Sequence, residues 1–385
     1  MTPAPMTRVR AYFLVQFMGI GMANGYAGVW LASIGLDSFQ IGIVNAVPMF
    51  AVLALTLFVG RLADRASDWR QVIIFGGALG ALVPLGLYVS QSFWWVLAVW
   101  TLAAAAQGTI LPVADAAAMR LARREGADFG ALRALSTIGF LLVVLGGGYL
   151  LGERGVALFL PLFIAFGMLR AVVAVGLPQM RARDARLAPK PANNFLRSMK
   201  PWMLVPLIAW ALIDANHFIL NGFQALLWSQ EGISTQTIGV LITTGALAET
   251  IMFFGFARLA RRFQPLTIML AAALVSVFRW VAMSLAPDVP VLFALQLLHA
   301  FTFAMGYLAA MNFIADHTEE SVAAEAQSFL KTLELTVAAI ALFAFGALAE
   351  AFGTQAYLAC ALLALMGGFA VLAARRWPQE TSRLR

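Results

Sequence analysis

The sequence predicts an all-α membrane protein with twelve transmembrane helices in two six-helix pseudo-repeats. Apolar residues make up 62% of its 385 residues, charged residues only 12%, and long apolar runs recur along the whole chain. A soluble domain contains about twice this share of charged residues, so the composition excludes an ordinary soluble enzyme. It also excludes a disordered chain, which needs low hydrophobicity. Helices are expected throughout, because every backbone polar group must be hydrogen-bonded inside lipid.

Twelve apolar runs are long enough for a helix that crosses a hydrocarbon core of about 30 Å, which takes roughly 20 residues. Polar or glycine-containing breaks separate the runs. The predicted spans are 11–33, 38–60, 70–90, 93–119, 130–150, 155–178, 201–228, 235–257, 265–286, 289–314, 322–350 and 354–374. The single cysteine, Cys360, lies in the last run and excludes both an internal disulfide and a multi-cysteine metal site.

The basic residues predict the orientation of the chain. With a cytoplasmic N-terminus, the inside segments hold 21 Lys and Arg residues and the outside loops hold one, Arg154. This asymmetry follows the positive-inside rule, so the net charge of +7 reflects topology and not a nucleic-acid surface. We expect a multi-pass protein of the bacterial cytoplasmic (inner) membrane with both termini in the cytoplasm, surrounded by the lipid bilayer and without a nucleic-acid partner.

The two halves of the chain resemble each other at a fixed offset of 197 residues. Gly35 matches Gly232, Gly42 matches Gly239, and a polar stretch with six cations separates the halves. Two six-helix repeats in parallel orientation are typical of a large transporter architecture. The predicted domains are an N-terminal six-helix bundle at 1–178, a cytoplasmic linker at 179–200, a C-terminal six-helix bundle at 201–374 and a cytoplasmic tail at 375–385.

A short motif between the second and third spans resembles the loop signature of the major facilitator superfamily. It reads Gly60-Arg61-Leu62-Ala63-Asp64-Arg65. With the helix count and the repeat, the resemblance covers the full chain and implies the major facilitator fold, secondary transport by alternating access and no enzymatic activity. It also implies a gating role for Gly60, Asp64 and Arg65, although the family's next glycine is Ser67 here. The alternative is that these cations only set the topology.

Ionisable residues inside the predicted spans are candidates for function, because a charge in hydrocarbon costs several kcal/mol. The set is Asp115, Arg133, Arg170, Asp214, His217, Glu249, Arg279, His299, Lys331 and Glu334. Five of them, at 214, 217, 249, 279 and 299, lie about 10 to 20 Å below the external edge at 1.5 Å per residue. This common depth predicts a shared polar cavity in the second half. Asp115 and Arg133, on antiparallel neighbouring helices, are expected to pair.

Structural explanations stay open for several of these residues. Snorkelling also explains Arg170. Lys331 and Glu334 are at i and i+3, so they also satisfy each other. Asp115 and Arg133 also fit a structural ion pair.

The spacing of two pairs is similar to that of the lactose/proton symporter branch of the superfamily. Asp115 and Arg133 are 18 residues apart, as in that branch's acid–Arg pair, and Arg279 and His299 are 20 apart, as in its Arg–His pair. The branch also has a carboxylate one turn after this histidine, which is implied to carry the proton. That position is Thr302 here, so Glu249 or Asp214 would have to carry it.

Several short segments resemble the phenylpropionate permease family. They include Pro112-Val113-Ala114-Asp115-Ala116, Asp214-Ala215-Asn216-His217, Ala248-Glu249 and Ser276-Val277-Phe278-Arg279-Trp280. The resemblance implies proton-coupled uptake of aromatic acids similar to 3-phenylpropionate. An arginine suits a carboxylate because it donates two parallel hydrogen bonds, and aromatic side chains suit the ring.

These observations give one set of expectations. The substrate is a small molecule bound by Asp115, Arg133, His217, Arg279 and Trp280. Proton coupling runs through Asp214, Glu249 and His299. We expect no cofactor other than the proton as coupling ion, no metal, and a monomer. A sugar or nucleoside/proton symporter and a drug or metabolite exporter of the same superfamily remain as alternatives.

Overall fold

The computed structural model of the chain describes residues 5–180, 199, 201–318 and 323–376, and the side chain of Asp64 is outside the description. Regular structure in the described residues is helical. The first half contains α1 (Pro5–Gln16 and Met18–Ser33), α2 (Ser38–Arg65), α3 (Trp69–Leu82), α4 (Phe93–Gly108 and Ile110–Glu125), α5 (Phe129–Arg154) and α6 (Phe159–Val175). The second half contains α7 (Pro201–Gln230), α8 (Thr235–Ala260), α9 (Pro265–Ser284), α10 (Val289–Leu297, a π-helical turn Ala300–Met305, and Gly306–His317), α11 (Ala323–Phe352) and α12 (Tyr357–Ala374).

Ten stretches of the described chain are long and apolar enough to cross a membrane. They cover α2 to α12, and one of them, Ala326–Ala374, contains both α11 and α12. Together with α1 they correspond to the twelve predicted spans. The predicted all-α membrane architecture is therefore confirmed.

The glycine–aspartate motif that begins at Gly60 is helical and not a loop. The predicted span ends near residue 60, but α2 continues to Arg65. The physical reason is local, because Arg61, Leu62 and Ala63 are strong helix formers and the backbone leaves the helical conformation only at Ala66. Gly60 and Arg65 thus lie on α2. The side chain of Asp64 lies outside the described residues, so the gating role of all three stays a prediction.

The turns before α2 and α8 have the same backbone geometry. Gly35 and Gly232 adopt φ values of 94° and 81°, a conformation that glycine adopts without strain. In both turns the next residue's N–H donates to the carbonyl four residues before the glycine, at 3.2 and 2.9 Å. These equivalent bonds lie 197 positions apart, in agreement with the repeat that the sequence predicts.

The described residues divide into two compact units. The first contains the described residues up to 180 with Trp228–Val240, and the second contains residues 199 and 201–227 with the described residues from 241 onward. The predicted linker at 179–200 lies outside the described residues except for 179, 180 and 199, and the predicted tail is described only at 375 and 376. The predicted domain boundaries therefore stay a prediction.

Each unit has an apolar core of its own. In the second unit Trp210, Met269 and Phe313 belong to one buried cluster. Helix α9 packs mainly against α12 and α10. This packing encloses the middle of α9, so a charged residue there must find its partners inside the protein.

In the first unit, α5 and the start of α8 meet at two glycines, Gly148 and Gly239. The Tyr26 hydroxyl lies beside them and donates to the Val144 carbonyl at 2.5 Å. A Cβ on Gly239 would lie 2.7 Å from Tyr26 Oη and 2.9 Å from Val144 O. These distances are shorter than van der Waals contact, so the close approach depends on glycine.

We predict that Gly239→Ala lowers the thermal unfolding temperature of the protein in detergent, because overpacking a close contact costs about 1–3 kcal/mol. Gly255→Ala is the matched control, since Gly255 lies in the same helix and an added Cβ there meets nothing within 4 Å. Alanine is the better helix former, so the control should keep or raise the unfolding temperature. Equal temperatures for the two variants would contradict the packing argument.

Candidate functional site

The first candidate pair joins α4 and α5. Arg133 Nη1 lies 3.4 Å from Asp115 Oδ2, and the two side chains are 42% and 28% exposed. The Arg133 guanidinium also lies over the ring of Phe17, 4.9 Å from its centre, at the break in α1. The pairing expected from the sequence is therefore present, and both partners keep accessible surface. Its role in binding substrate stays a prediction.

A second group, the histidine–arginine cluster, spans four helices. It consists of His217 (α7), Glu249 (α8), Arg279 (α9), and Gln296, His299 and Thr302 (α10). Arg279 is its centre and has no exposed side-chain surface. Its Nη1 donates to Thr302 Oγ1 at 3.0 Å and its Nη2 to Gln296 Oε1 at 2.6 Å. Neutral oxygens thus receive the hydrogen bonds of this buried cation.

His299 connects Arg279 to Glu249. Its Nδ1 lies 3.3 Å from Arg279 Nη1, and its Nε2 lies 3.4 Å from Glu249 Oε2. A guanidinium can only donate hydrogen bonds, so Nδ1 is the acceptor and the ring proton lies on Nε2, facing the carboxylate. This arrangement favours a neutral His299, because a second proton on Nδ1 would face Arg279.

Thr302 extends the chain of contacts to α7. Its Oγ1 lies 3.1 Å from His217 Nε2, and His217 Nδ1 lies 3.8 Å from Asp214 Oδ1. The structure therefore brings together all five ionisable residues for which the sequence predicts a common depth, in one polar network that leads from Glu249 to Asp214.

Exposure differs between the two ends of this network. The side chains of Glu249 and His299 are 24% and 14% exposed, whereas those of Asp214 and His217 are each 4% exposed. Asp214 Oδ1 is buried and has no hydrogen-bond donor. Glu249 is thus the carboxylate of this network with the larger exposed surface.

A third group, the lysine–carboxylate cluster, lies between α7 and α11. It consists of Trp210, Asp214, Phe218, Lys331 and Glu334. Glu334 accepts hydrogen bonds from Trp210 Nε1 at 2.8 Å and from Lys331 Nζ at 3.0 Å. Asp214 interacts electrostatically with both Lys331 and Glu334. Asp214 therefore belongs to the lysine–carboxylate cluster and also contacts His217 of the histidine–arginine cluster.

Trp280 differs from the other predicted substrate residues. Its side chain is fully buried and stacks on Tyr357 with ring centres 5.7 Å apart, while the Arg279 guanidinium lies 4.8 Å from its ring centre. Substrate contact by Arg279 or Trp280 needs a conformation that exposes them. Their binding role stays a prediction.

The uncharged partners of the network are not predicted from the sequence. Gln296 bonds Arg279 and also donates to Gln224 Oε1 at 3.2 Å. The resemblance to the lactose/proton symporter branch marks Thr302 only as the position of a missing carboxylate, yet Thr302 contacts both Arg279 and His217. The sequence marks Gln296 and Thr302 only as polar residues inside an apolar run, and such a residue is equally explained by a hydrogen bond between two helices. Among the described residues, no group of three or more His, Cys, Asp or Glu side chains is arranged to hold a metal ion.

Three known proteins are similar to this chain, two in sequence and one in structure. A "Probable 3-phenylpropionic acid transporter" of Escherichia coli (strain K12) is 26% identical over 320 residues, covering 79% of this chain and 80% of that protein. A "Maltose permease" of Geobacillus stearothermophilus is 25% identical over 277 residues, covering 72% and 70%. The crystal structure of the nucleoside transporter NupG superimposes with a TM-score of 0.85 at 15% identity, over 97% of this chain and 100% of that one.

These similarities confirm the major facilitator fold that the sequence analysis expects. The sequence model of the MFS_1 like family matches residues 6–359, which is most of the chain. The chain therefore belongs to the MFS_1 like family of the major facilitator superfamily and is a multi-pass membrane transporter of small molecules, not an enzyme.

Proposed function

We propose that this transporter is a proton-coupled symporter that moves a small organic carboxylate, such as an aromatic acid similar to 3-phenylpropionate, by alternating access. The observation that carries the proposal is the Glu249–His299–Arg279 chain of contacts. It places a partly exposed carboxylate at one end and a buried cation at the other. A proton on the carboxylate and a negative charge near the cation are then linked through a single histidine.

Charge balance explains how the two ligands are coupled. Burial favours the neutral form of a carboxylate, and a proton on Glu249 removes the negative end of the chain. The positive charge of Arg279 is then uncompensated and attracts the carboxylate of the substrate. The loaded site carries no added net charge, which lowers the cost of exposing it to the other side of the membrane.

Three features support a carboxylate as the substrate. The relative of Escherichia coli is described as a probable 3-phenylpropionic acid transporter. Arg133 offers a partly exposed guanidinium, which suits a carboxylate. The membrane-spanning helices also supply apolar and aromatic surface for a ring.

The second candidate is a sugar or nucleoside/proton symporter. The similarity to a maltose permease and to the nucleoside transporter NupG favours it, and the glutamines at 224 and 296 suit hydroxyl groups. A metabolite exporter uses the same proton chain in the opposite direction.

We further propose that the protein acts as a monomer in the bacterial inner membrane, with both termini in the cytoplasm and with the proton as coupling ion in place of any cofactor. The distribution of Lys and Arg supports this orientation.

Uptake into proteoliposomes under a proton gradient, with labelled 3-phenylpropionate, lactose and uridine side by side, tests the substrate class. Accumulation of the aromatic acid alone is the expected result, and accumulation of lactose or uridine would favour the second candidate.

We predict that Glu249→Gln abolishes proton-driven accumulation but leaves exchange of internal for external substrate. Glutamine resembles the protonated acid, so the site can still bind and reorient but cannot release the proton. Accumulation and exchange are measured in the same proteoliposomes, and Glu153→Gln, an exposed change near the end of α5, is the matched control. Accumulation by the Glu249→Gln variant, or the loss of both activities, would overturn the role of Glu249.

We also predict that Thr302→Val lowers the thermal unfolding temperature in detergent and that Thr302→Ser does not. Valine has the shape of threonine but no oxygen for Arg279 Nη1 and His217 Nε2, and a buried polar group left without its partner costs about 1–3 kcal/mol. Serine keeps the oxygen and is the matched control. If the valine variant is as stable as the serine variant, the hydroxyl does not support the network.

A further inference from the structure

Lys331 lies within the membrane-spanning part of the chain, and part of its ammonium-bearing side chain is exposed. Its side chain is 57% exposed, and its Nζ lies 5.2 Å from the centre of the Phe218 ring on α7. Phe218 is 17 residues from the start of α7 and 12 from its end, roughly 26 and 18 Å at 1.5 Å per residue. An ammonium at this depth borders water, because a cation exposed to hydrocarbon is strongly unfavourable.

Glu334 holds the ammonium in place without saturating it. The Glu334 side chain is 3% exposed and accepts one hydrogen bond from Trp210 Nε1 and one from Lys331 Nζ. An ammonium has three N–H donors, and the contact with Glu334 uses one of them. The turn of Lys331 toward Glu334 and Phe218 also separates it from a snorkelling lysine, which would point to the membrane surface.

The other cations within the described spans are less available to a ligand. Arg279 is fully buried and its two Nη atoms have partners, and Arg170 is 6% exposed. Arg133 is accessible, but its side chain is less exposed than that of Lys331, 42% against 57%, and its guanidinium is covered on one side by the Phe17 ring. Lys331 combines the larger exposure with free donors.

We propose that Lys331 is the primary binding site for the carboxylate of the substrate, and that the site selects monocarboxylates. This inference rests on the proposed function, which supplies an organic anion as substrate. The ammonium receives the carboxylate on its open side, and the ring of Phe218 beside it offers an apolar surface for the body of the ligand. Glu334 lies next to this position and repels a second negative charge, so a dianion binds poorly.

The charged and titratable groups that face Lys331 explain how binding is tied to the proton. They are Asp214 on α7, Glu334 on its own helix and Tyr307 on α10. An incoming carboxylate competes with Glu334 for this cation. Asp214 Oδ1 has no donor, so Asp214 keeps its proton in both the empty and the loaded site, and Glu249 carries the proton that travels with the substrate.

The test measures binding to purified protein in detergent by isothermal titration calorimetry. The ligands are 3-phenylpropionate, its neutral amide and the dianion phenylsuccinate. The double variant Lys331→Gln with Glu334→Gln removes the ammonium together with the carboxylate that it bonds. We expect it to bind 3-phenylpropionate about 10- to 100-fold more weakly, the loss of one charge-assisted contact, and to bind the amide as the wild type does. Lys331→Arg should stay within a few-fold of the wild type.

The possible results separate this inference from the proposed function. Wild-type affinity for 3-phenylpropionate in the double variant would overturn the inference and limit Lys331 to its pairing with Glu334. Binding of phenylsuccinate as tight as that of 3-phenylpropionate would overturn the selection of monocarboxylates. If the folded wild type binds neither of these acids nor other monocarboxylates, the proposed function itself fails and the inference fails with it.

Discussion

The cost of placing charge in a medium of low dielectric is the constraint on which this structure depends. An isolated ion buried there is so unfavourable that it must be paired or neutralised. Arg279 meets this constraint in an unusual way, because its hydrogen bonds go to Gln296, Thr302 and the neutral ring of His299. Its compensating carboxylate, Glu249, lies one residue further along the chain of contacts. A change of charge at Glu249 therefore changes the electrostatic potential at Arg279 through His299, without a direct contact between the two side chains.

The backbone of α10 contributes to this arrangement. Its π-helical turn, Ala300–Met305, begins directly after His299 and contains Thr302. Such turns are rare and occur frequently at functional sites, where they change the direction of side chains relative to a regular helix. In this protein the turn lies where two side chains of α10 must reach both α9 and α7. The surrounding packing of α9 against α10 and α12 holds the turn in place.

The parts of this structure that could be predicted from sequence are those with a strong and simple signal. Apolar runs predict the helices because lipid leaves the backbone no other choice. The glycines at 35 and 232 predict the repeat, since their positive φ values need that residue type. The pairing of Asp115 with Arg133 follows from spacing on antiparallel helices. The roles of Gln296 and Thr302 do not follow, because an uncharged polar residue in a span has many equivalent partners until the helices are packed. The extension of α2 through Arg65 was not predicted either, because a basic segment after an apolar run is usually interpreted as a loop.

Helix α7 ties the two clusters of the second unit together. Trp210, Asp214 and Phe218 recur at intervals of four residues and face the lysine–carboxylate cluster, whereas His217 faces the histidine–arginine cluster. The two clusters together contain three carboxylates, Asp214, Glu249 and Glu334, and two cations, Arg279 and Lys331. Without substrate, one bound proton makes the net charge of these five groups zero. A bound monocarboxylate adds one negative charge, so a second proton is needed to keep the net charge at zero. Asp214 is buried and lacks a hydrogen-bond donor, so we expect it to keep its proton throughout the transport cycle. Glu249 is partly exposed, so we expect it to bind and release the proton that travels with the substrate. In this view coupling needs no direct contact between proton and substrate, because the penalty for net charge inside the membrane links them.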